Sequence, residues 1–75
     1  MKKLVEVIAK NLVDNPEDVV VVENVDGKNV KLILSVNESD MGRVIGKQGK
    51  IAKAMRTVVK AAAMKEQKMV DVEIQ

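Results

Sequence analysis

The spacing of apolar side chains switches between two periods three times along this 75-residue chain, and the order of those switches limits the folds open to it. Apolar residues first recur at helical spacing over residues 4–12. Residues 19–25 and 29–36 form two β-branched or alternating runs, separated by Asp26-Gly27, a strong signal for a tight hairpin. A second helical pattern follows, and residues 69–75 alternate again.

The helix boundaries follow from local signals. The first helix is expected to end near Asp14-Asn15-Pro16, because a proline prevents its continuation. Ser39 or Asp40 can cap a short helix that runs to about residue 45. Residues 46–49 are predicted to be a loop, and residues 50–67 the longest helix. The expected apolar stripe of that helix consists of Ile51, Met55, Val58, Val59 and Ala62.

These elements predict an α+β fold in the order α-β-β-α-α-β. The hairpin makes the first two strands antiparallel, and the helical connection suits a crossover that places the last strand parallel to the second. We therefore expect a three-stranded mixed sheet covered on one face by three helices. The length predicts a single domain over residues 1–75.

The composition excludes several classes of function. Neither cysteine nor histidine occurs, which removes disulfides, thiolate metal sites and the commonest general base. The acidic residues form no obvious converging pair, so we expect no enzyme, metal or cofactor. Glu6 and Lys10 interrupt the first apolar stretch, unlike in a signal peptide, and no run is long enough to cross a bilayer. We expect a soluble, cytoplasmic protein.

Positive charge is concentrated in one segment. Residues 41–65 contain seven basic residues and no acidic one, whereas the rest of the chain has a net charge of −5. A basic segment on an acidic remainder indicates a surface that binds polyanions.

Two glycines, Gly46 and Gly49, enclose Lys47 and Gln48 between the predicted second and third helices. Because neither glycine has a Cβ, a sugar-phosphate strand can lie against the backbone there. Amide groups at the start of the following helix suit phosphate oxygens. The segment is therefore either a grip for a nucleic-acid strand or a plain turn between two helices.

Two other glycine motifs are excluded by spacing. A P-loop needs four residues between its first glycine and the Gly-Lys pair, but only three separate Gly42 from Gly46, and no Ser or Thr follows Lys47. The dinucleotide-binding fingerprint needs a further glycine where Val44 stands.

The segment Val-Ile-Gly-Lys-Gln-Gly-Lys-Ile, residues 44–51, resembles the signature of the KH (K-homology) domain. The helix-first order resembles the type II, bacterial-style arrangement, and nearly the whole chain resembles the single-domain bacterial KH proteins of the KhpA family. The resemblance implies single-stranded RNA binding, with about four nucleotides clamped by the glycine segment. It also implies a homodimer, a heterodimer with a larger KH-domain protein, and a role as an RNA chaperone or post-transcriptional regulator.

The resemblance also assigns residues. It places the clamp at residues 46–49, with flanking apolar positions lining a groove that extends along about residues 65–72. Lys53 and Arg56 either add positive charge to the site or belong to an ordinary solvated helix face, and Arg43 either contacts phosphate or is solvated. The predicted RNA-binding residues are Arg43, Ile45, Gly46, Lys47, Gln48, Gly49, Lys50, Ile51 and Lys53.

Two features limit the expected affinity. The chain has no aromatic residue on which a base could stack, and Asp71 and Glu73 make the last strand acidic. We therefore expect modest affinity and weak sequence preference. The alternatives are a protein-interaction adaptor whose fold acts mainly as a dimerisation module, and a protein that binds single-stranded DNA.

Overall fold

The structure, a computed structural model, describes the backbone of residues 1–75 and all side chains except those of Lys47, Gln48 and Lys50. What the sequence predicts for those three side chains lies outside the described residues. The elements in chain order are α1 (Lys2–Leu12), a short 3-10 helix (Pro16–Asp18), β1 (Val20–Asp26), β2 (Asn29–Ser35), α2 (Glu38–Lys65) and β3 (Met69–Ile74). Within this described part, no helix is both long and apolar enough to span a membrane.

The three strands form one mixed sheet in the order β1-β2-β3. The hairpin pairs β1 with β2 in antiparallel fashion, with Val22 opposite Ile33. Its turn contains Gly27 at a φ of +60°, a conformation that glycine adopts without strain. β3 runs parallel to β2, with Val72 opposite Leu32. The predicted strand pairing is confirmed.

The hydrophobic core lies between one face of this sheet and the helices. Strand residues alternate between faces, so one face of β2 contributes a row of buried side chains. α1 and α2 pack over that row. The core residues are Val21, Val30, Leu32, Leu34 and Val72 from the sheet, Val5 and Ala9 from α1, and Val44, Met55 and Val59 from α2. The predicted α+β fold class, with two α-helices and the 3-10 helix beside a mixed sheet, is confirmed.

Two details of the predicted apolar stripes are wrong. α1 ends at Leu12, which is exposed, and the chain becomes extended at Val13, whose side chain enters the core instead. In α2 the buried stripe includes Ala52 and Ala63, and Val58 is exposed. The predicted stripe and the observed stripe of α2 both follow a helical period. The small side chains of Ala52 and Ala63 allow closer packing against the sheet than the larger residues beside them.

α2 also differs from the predicted pair of helices. It is a single helix of 28 residues, so the prediction of a four-residue loop at 46–49 that separates two helices is wrong. Its N-cap is Asn37, whose side-chain oxygen accepts a hydrogen bond from the backbone N–H of Ser39 at 2.8 Å. Asn37 satisfies a donor that the first helical turn leaves unpaired, the role predicted for Ser39 or Asp40.

Candidate nucleic-acid interface

The glycine segment lies inside α2, and its backbone departs from helical geometry at Gly49. This residue has a φ of +67°, whereas helical residues have a φ near −63°. An L-residue with a Cβ is strained in that region, so the conformation requires glycine. Gly46 has no such departure and stays within the helix. Of the two glycines in the segment that the sequence predicts to be irregular, only Gly49 departs from helical backbone geometry.

Open space surrounds both glycines. A Cβ built on Gly46 or Gly49 would have no described atom within 4 Å. Internal packing therefore does not require a glycine at Gly46, whose backbone is helical. The missing side chain leaves bare backbone on the surface of α2, which is the property that close approach of a sugar-phosphate strand needs.

The residues before the glycines divide between core and surface. Val44 is fully buried and fixes this turn of α2 against the sheet, while Ile45 is 49% exposed. On the other side, Ile51 is half-buried and packs against the core. The structure thus places an exposed and a half-buried apolar side chain beside the two glycines, as the resemblance implies for the lining of a groove.

A basic stripe runs along α2 from the glycine segment towards its C-terminal end. Lys53, Arg56 and Lys60 are exposed and follow Gly49 at intervals of four, three and four residues. This spacing places side chains on one face of a helix. No acidic residue occurs in α2 between Met41 and Lys65 to offset their charge. The stripe, defined by Lys53, Arg56 and Lys60, is therefore a positive surface continuous with the glycines.

Arg56 fixes the position of this stripe relative to the sheet. Its Nε donates a hydrogen bond to the backbone oxygen of Val72 in β3, at 3.3 Å. Farther along, Lys60 and Lys68 line a recess of about 230 Å³ together with Ala63, Met69 and Val70. The recess thus lies between α2 and the start of β3, next to the C-terminal end of the basic stripe.

β3 is an edge strand, and its outer side is polar. The backbone N–H groups of Met69 and Gln75 donate to Lys28 and Leu34. Because backbone groups of successive residues in a strand face opposite sides, those of Val70, Val72 and Ile74 face away from β2. The space beside β3 is therefore bordered by a row of outward-facing backbone donors and acceptors, with the apolar side chains of Ala63, Met69 and Val70 in the lining of the recess.

Arg43 lies at an ion pair near the start of α2. Its Nη1 is 3.2 Å from the Asp14 Oδ1, and both side chains are more than half exposed. The pair joins α2 to the end of α1 and offsets the charge of Arg43 locally. Lys53, by contrast, lies within the basic stripe. The roles predicted for both residues in binding stay predictions.

A buried carboxylate, not identified as such from the sequence, holds the N-terminal part of α2 in place. Asp40 is 2% exposed. Its two oxygens accept hydrogen bonds from the backbone N–H groups of Asp14 and Asn15, and one also accepts from the Asn15 side chain, each at 3.1 Å. These contacts fix α2 against the turn that follows α1. An aspartate beside a predicted helix start indicates a cap, and nothing local indicates partners 25 residues away.

The same contacts set the acidity of Asp40. Burial alone would raise the pKa of its carboxyl group. The hydrogen bonds from Asp14 and Asn15, together with the positive charge of Arg43, outweigh burial and hold that pKa below its usual value. Asp40 is therefore ionised at neutral pH.

Comparison with known proteins identifies a family. The family model "KhpA/KhpB, KH domain" matches residues 2–74. The chain is 65% identical over 74 residues to the RNA-binding protein KhpA of Clostridium perfringens, covering 99% of both chains. It is 60% identical to the RNA-binding protein KhpA of Clostridium acetobutylicum over 99% of both chains. The Bacillus subtilis RNA-binding protein KhpA is 45% identical over 99% of this chain and 91% of its own. No solved structure matched.

Proposed function

The chain belongs to the KhpA/KhpB KH-domain family, and from this premise we propose that it binds single-stranded RNA along the Gly46–Gly49 segment and the groove between α2 and β3. Its relatives are named RNA-binding proteins. The observation that carries the proposal is the bare backbone at the two glycines, continuous with a basic stripe that acidic residues do not interrupt.

The proposed mode of binding divides the strand between two surfaces. Phosphates lie against the glycine backbone and the lysine side chains of α2, while bases face Ile45, Ile51 and the edge of β3. With no aromatic residue for stacking, this contact gives modest affinity and depends mainly on the nucleic-acid backbone. The protein thus acts as a binding module in the cytoplasm, as an RNA chaperone or post-transcriptional regulator, and not as an enzyme.

The test is to replace Lys47→Asp and Gln48→Asp together and to measure binding of a short labelled RNA by fluorescence anisotropy. The double variant adds negative charge to the clamp and keeps both glycines, so we expect RNA binding to collapse while the unfolding temperature stays close to that of the parent. A matched control is Lys3→Asp with Asn11→Asp, which makes the same change in charge on exposed positions of α1. Equal RNA binding by the parent and the Lys47–Gln48 variant would refute the proposal.

A salt titration tests the phosphate contacts separately. Each phosphate neutralised on a single strand contributes about −0.7 to the slope of log K against log salt concentration. We expect the control variant to keep the slope of the parent protein.

Pairing with a second copy, and with a larger KH-domain protein, belongs to the same proposal as an inference from the family resemblance. Sedimentation of the purified chain over a range of concentrations tests the homodimer. If the adaptor alternative is correct, the sedimenting species is a stable dimer and crosslinking recovers protein but little RNA.

A further inference from the structure

Arg56 differs from the other cations of the basic stripe because part of its guanidinium is already engaged by the sheet. Its Nε donates to the Val72 oxygen, whereas the side chains of Lys53 and Lys60 project from exposed positions and donate no hydrogen bond to a described residue. A guanidinium has five N–H donors, so the Nε bond leaves four on the two terminal nitrogens. Within the described structure, no protein acceptor takes them. Arg56 therefore presents a fixed two-pronged donor at the edge of β3.

Its surroundings at this edge suit a base better than a phosphate. The carbonyl oxygen of Val72 is adjacent, and the outward backbone groups of Val70 and Ile74 are uncharged donors and acceptors. Asp71 and Glu73 also place two exposed carboxylates on the same strand, and the Lys31 ammonium on β2, 3.4 Å from the Glu73 Oε2, partly offsets the second of them. Like charges repel a phosphate at this strand, whereas a neutral base edge can hydrogen-bond there.

The composition of the chain removes the usual alternative for contacting bases. Without any aromatic residue, bases cannot be held by stacking on a ring, so hydrogen bonds must carry any discrimination between them. A planar guanidinium binds best to two neighbouring acceptors, as with O6 and N7 of guanine. Cytosine offers a similar pair in O2 and N3. Adenine and uracil lack such a pair, because a donor stands beside or between their acceptors.

We propose that Arg56 is a specificity-determining residue that selects guanine or cytosine at one position of the bound strand. This inference rests on the proposed function, because it assumes that RNA lies in the groove between α2 and β3. Lys53 and Lys60 contact the phosphate backbone without regard to sequence, and Arg56 reads the base that lies against Val72.

The experiment measures binding of four labelled octaribonucleotides by fluorescence anisotropy. One is oligouridine, and the others contain a single guanine, cytosine or adenine near the centre. A bidentate contact discriminates by about fivefold or more, so the parent protein is expected to bind the guanine or the cytosine oligonucleotide at least about fivefold more tightly than oligouridine. The adenine oligonucleotide is expected to bind like oligouridine. Comparison of the guanine and the cytosine oligonucleotides shows which of the two bases supplies the pair of acceptors for Arg56.

Two variants of Arg56 test whether the paired N–H donors of its guanidinium cause the discrimination between bases. Arg56→Lys keeps the charge and removes the planar pair of donors, so we expect the discrimination to fall below about twofold while oligouridine binding stays within about threefold of the parent. Arg56→Gln keeps a donor that can reach the Val72 oxygen and should also lose discrimination. The controls Lys53→Gln and Lys60→Gln should weaken all four oligonucleotides alike and preserve their ratios.

The outcomes separate the two proposals. If the parent protein binds all four oligonucleotides equally, the inference about Arg56 is wrong and RNA binding stands. Unchanged ratios in both Arg56 variants also overturn it. If Arg56 only ties α2 to β3, its variants lower the unfolding temperature and weaken every oligonucleotide by the same factor, which also refutes selection. Failure of the parent protein to bind any of the four refutes the proposed function as well.

Discussion

Replacing the glycines of α2 by alanine one at a time distinguishes a glycine kept for binding from one kept for the fold. Gly46 lies within the helix and faces open space, so Gly46→Ala should stabilise the protein by about 1 kcal/mol, the usual gain in a helix interior. Gly49 has a φ of +67°, and forcing an alanine into that conformation costs about 1–2 kcal/mol. The two substitutions therefore have opposite signs, although their sites are three residues apart.

Thermal unfolding followed by circular dichroism measures this difference. For a domain of this size, about 1 kcal/mol shifts the unfolding temperature by about 4–8 °C. We therefore expect the midpoint to rise for Gly46→Ala and to fall for Gly49→Ala. Gly42→Ala is the matched control, because Gly42 is also helical and also faces open space, one turn before Gly46.

The effects of these glycine substitutions on RNA affinity should not run parallel to their effects on stability. The new methyl group at residue 46 occupies the surface against which we place the strand, so Gly46→Ala should weaken binding at least about tenfold while it raises the unfolding temperature. Gly42→Ala should gain stability and keep the parent affinity. A Gly46→Ala protein that is more stable and binds RNA as well as the parent would show that this glycine has no part in binding.

Three further predictions concern the fold. Leu32→Ala, at a completely buried position, should lower the free energy of unfolding by about 2–5 kcal/mol in urea denaturation, and a loss below 1 kcal/mol would contradict its place in the core. Gln67 has a φ of +56° where α2 ends, so Gln67→Gly should raise stability by up to about 1 kcal/mol, and a lower unfolding temperature would contradict the left-handed cap. Because the pKa of Asp40 lies below its unfolded value of 3.8, its contribution is fully present above that pH and is lost as the pH falls through the lowered pKa. The difference in unfolding temperature between the parent protein and Asp40→Asn should therefore be constant at neutral pH and shrink in acid; a constant difference down to pH 2 would contradict the assignment.

The sheet could be predicted from sequence because its signals are local. Asp26-Gly27 specifies the hairpin, and the alternation of Val30, Leu32 and Leu34 specifies the face that is buried. Parallel pairing of β3 with β2 follows from the general preference for right-handed crossover connections between parallel strands of one sheet. These rules need no knowledge of distant contacts.

The continuity of α2 could not be predicted in the same way. A glycine in a helix costs only about 1 kcal/mol relative to alanine, which packing of the flanking turns can outweigh. Val44 on one side and Met55 on the other both enter the core. The backbone thus continues as a helix past Gly46, and only Gly49 adopts a conformation that requires glycine.

The most informative contacts of the candidate site are between residues far apart in sequence. The hydrogen bond from Arg56 to Val72 depends on how α2 packs beside β3, and the apolar patterns of the two elements do not show which side chain of the helix meets which carbonyl of the strand. The burial of Asp40 depends on the turn after α1. The glycines and Lys53, in contrast, could be singled out because they form a compact pattern in the chain.

The free edge of β3 has a cost as well as a use. Unpaired backbone groups on an edge strand can pair with a strand of another molecule and start aggregation. Charged side chains at Asp71 and Glu73, and the hydrogen bond from Arg56 to Val72, make that pairing less favourable. An RNA strand lying in the groove would cover the same groups. If RNA binds there as proposed, the backbone amides and carbonyls that would face the ligand are also ones through which another molecule could pair, so a substitution that exposes this edge to a ligand also exposes it to a neighbouring copy of the chain.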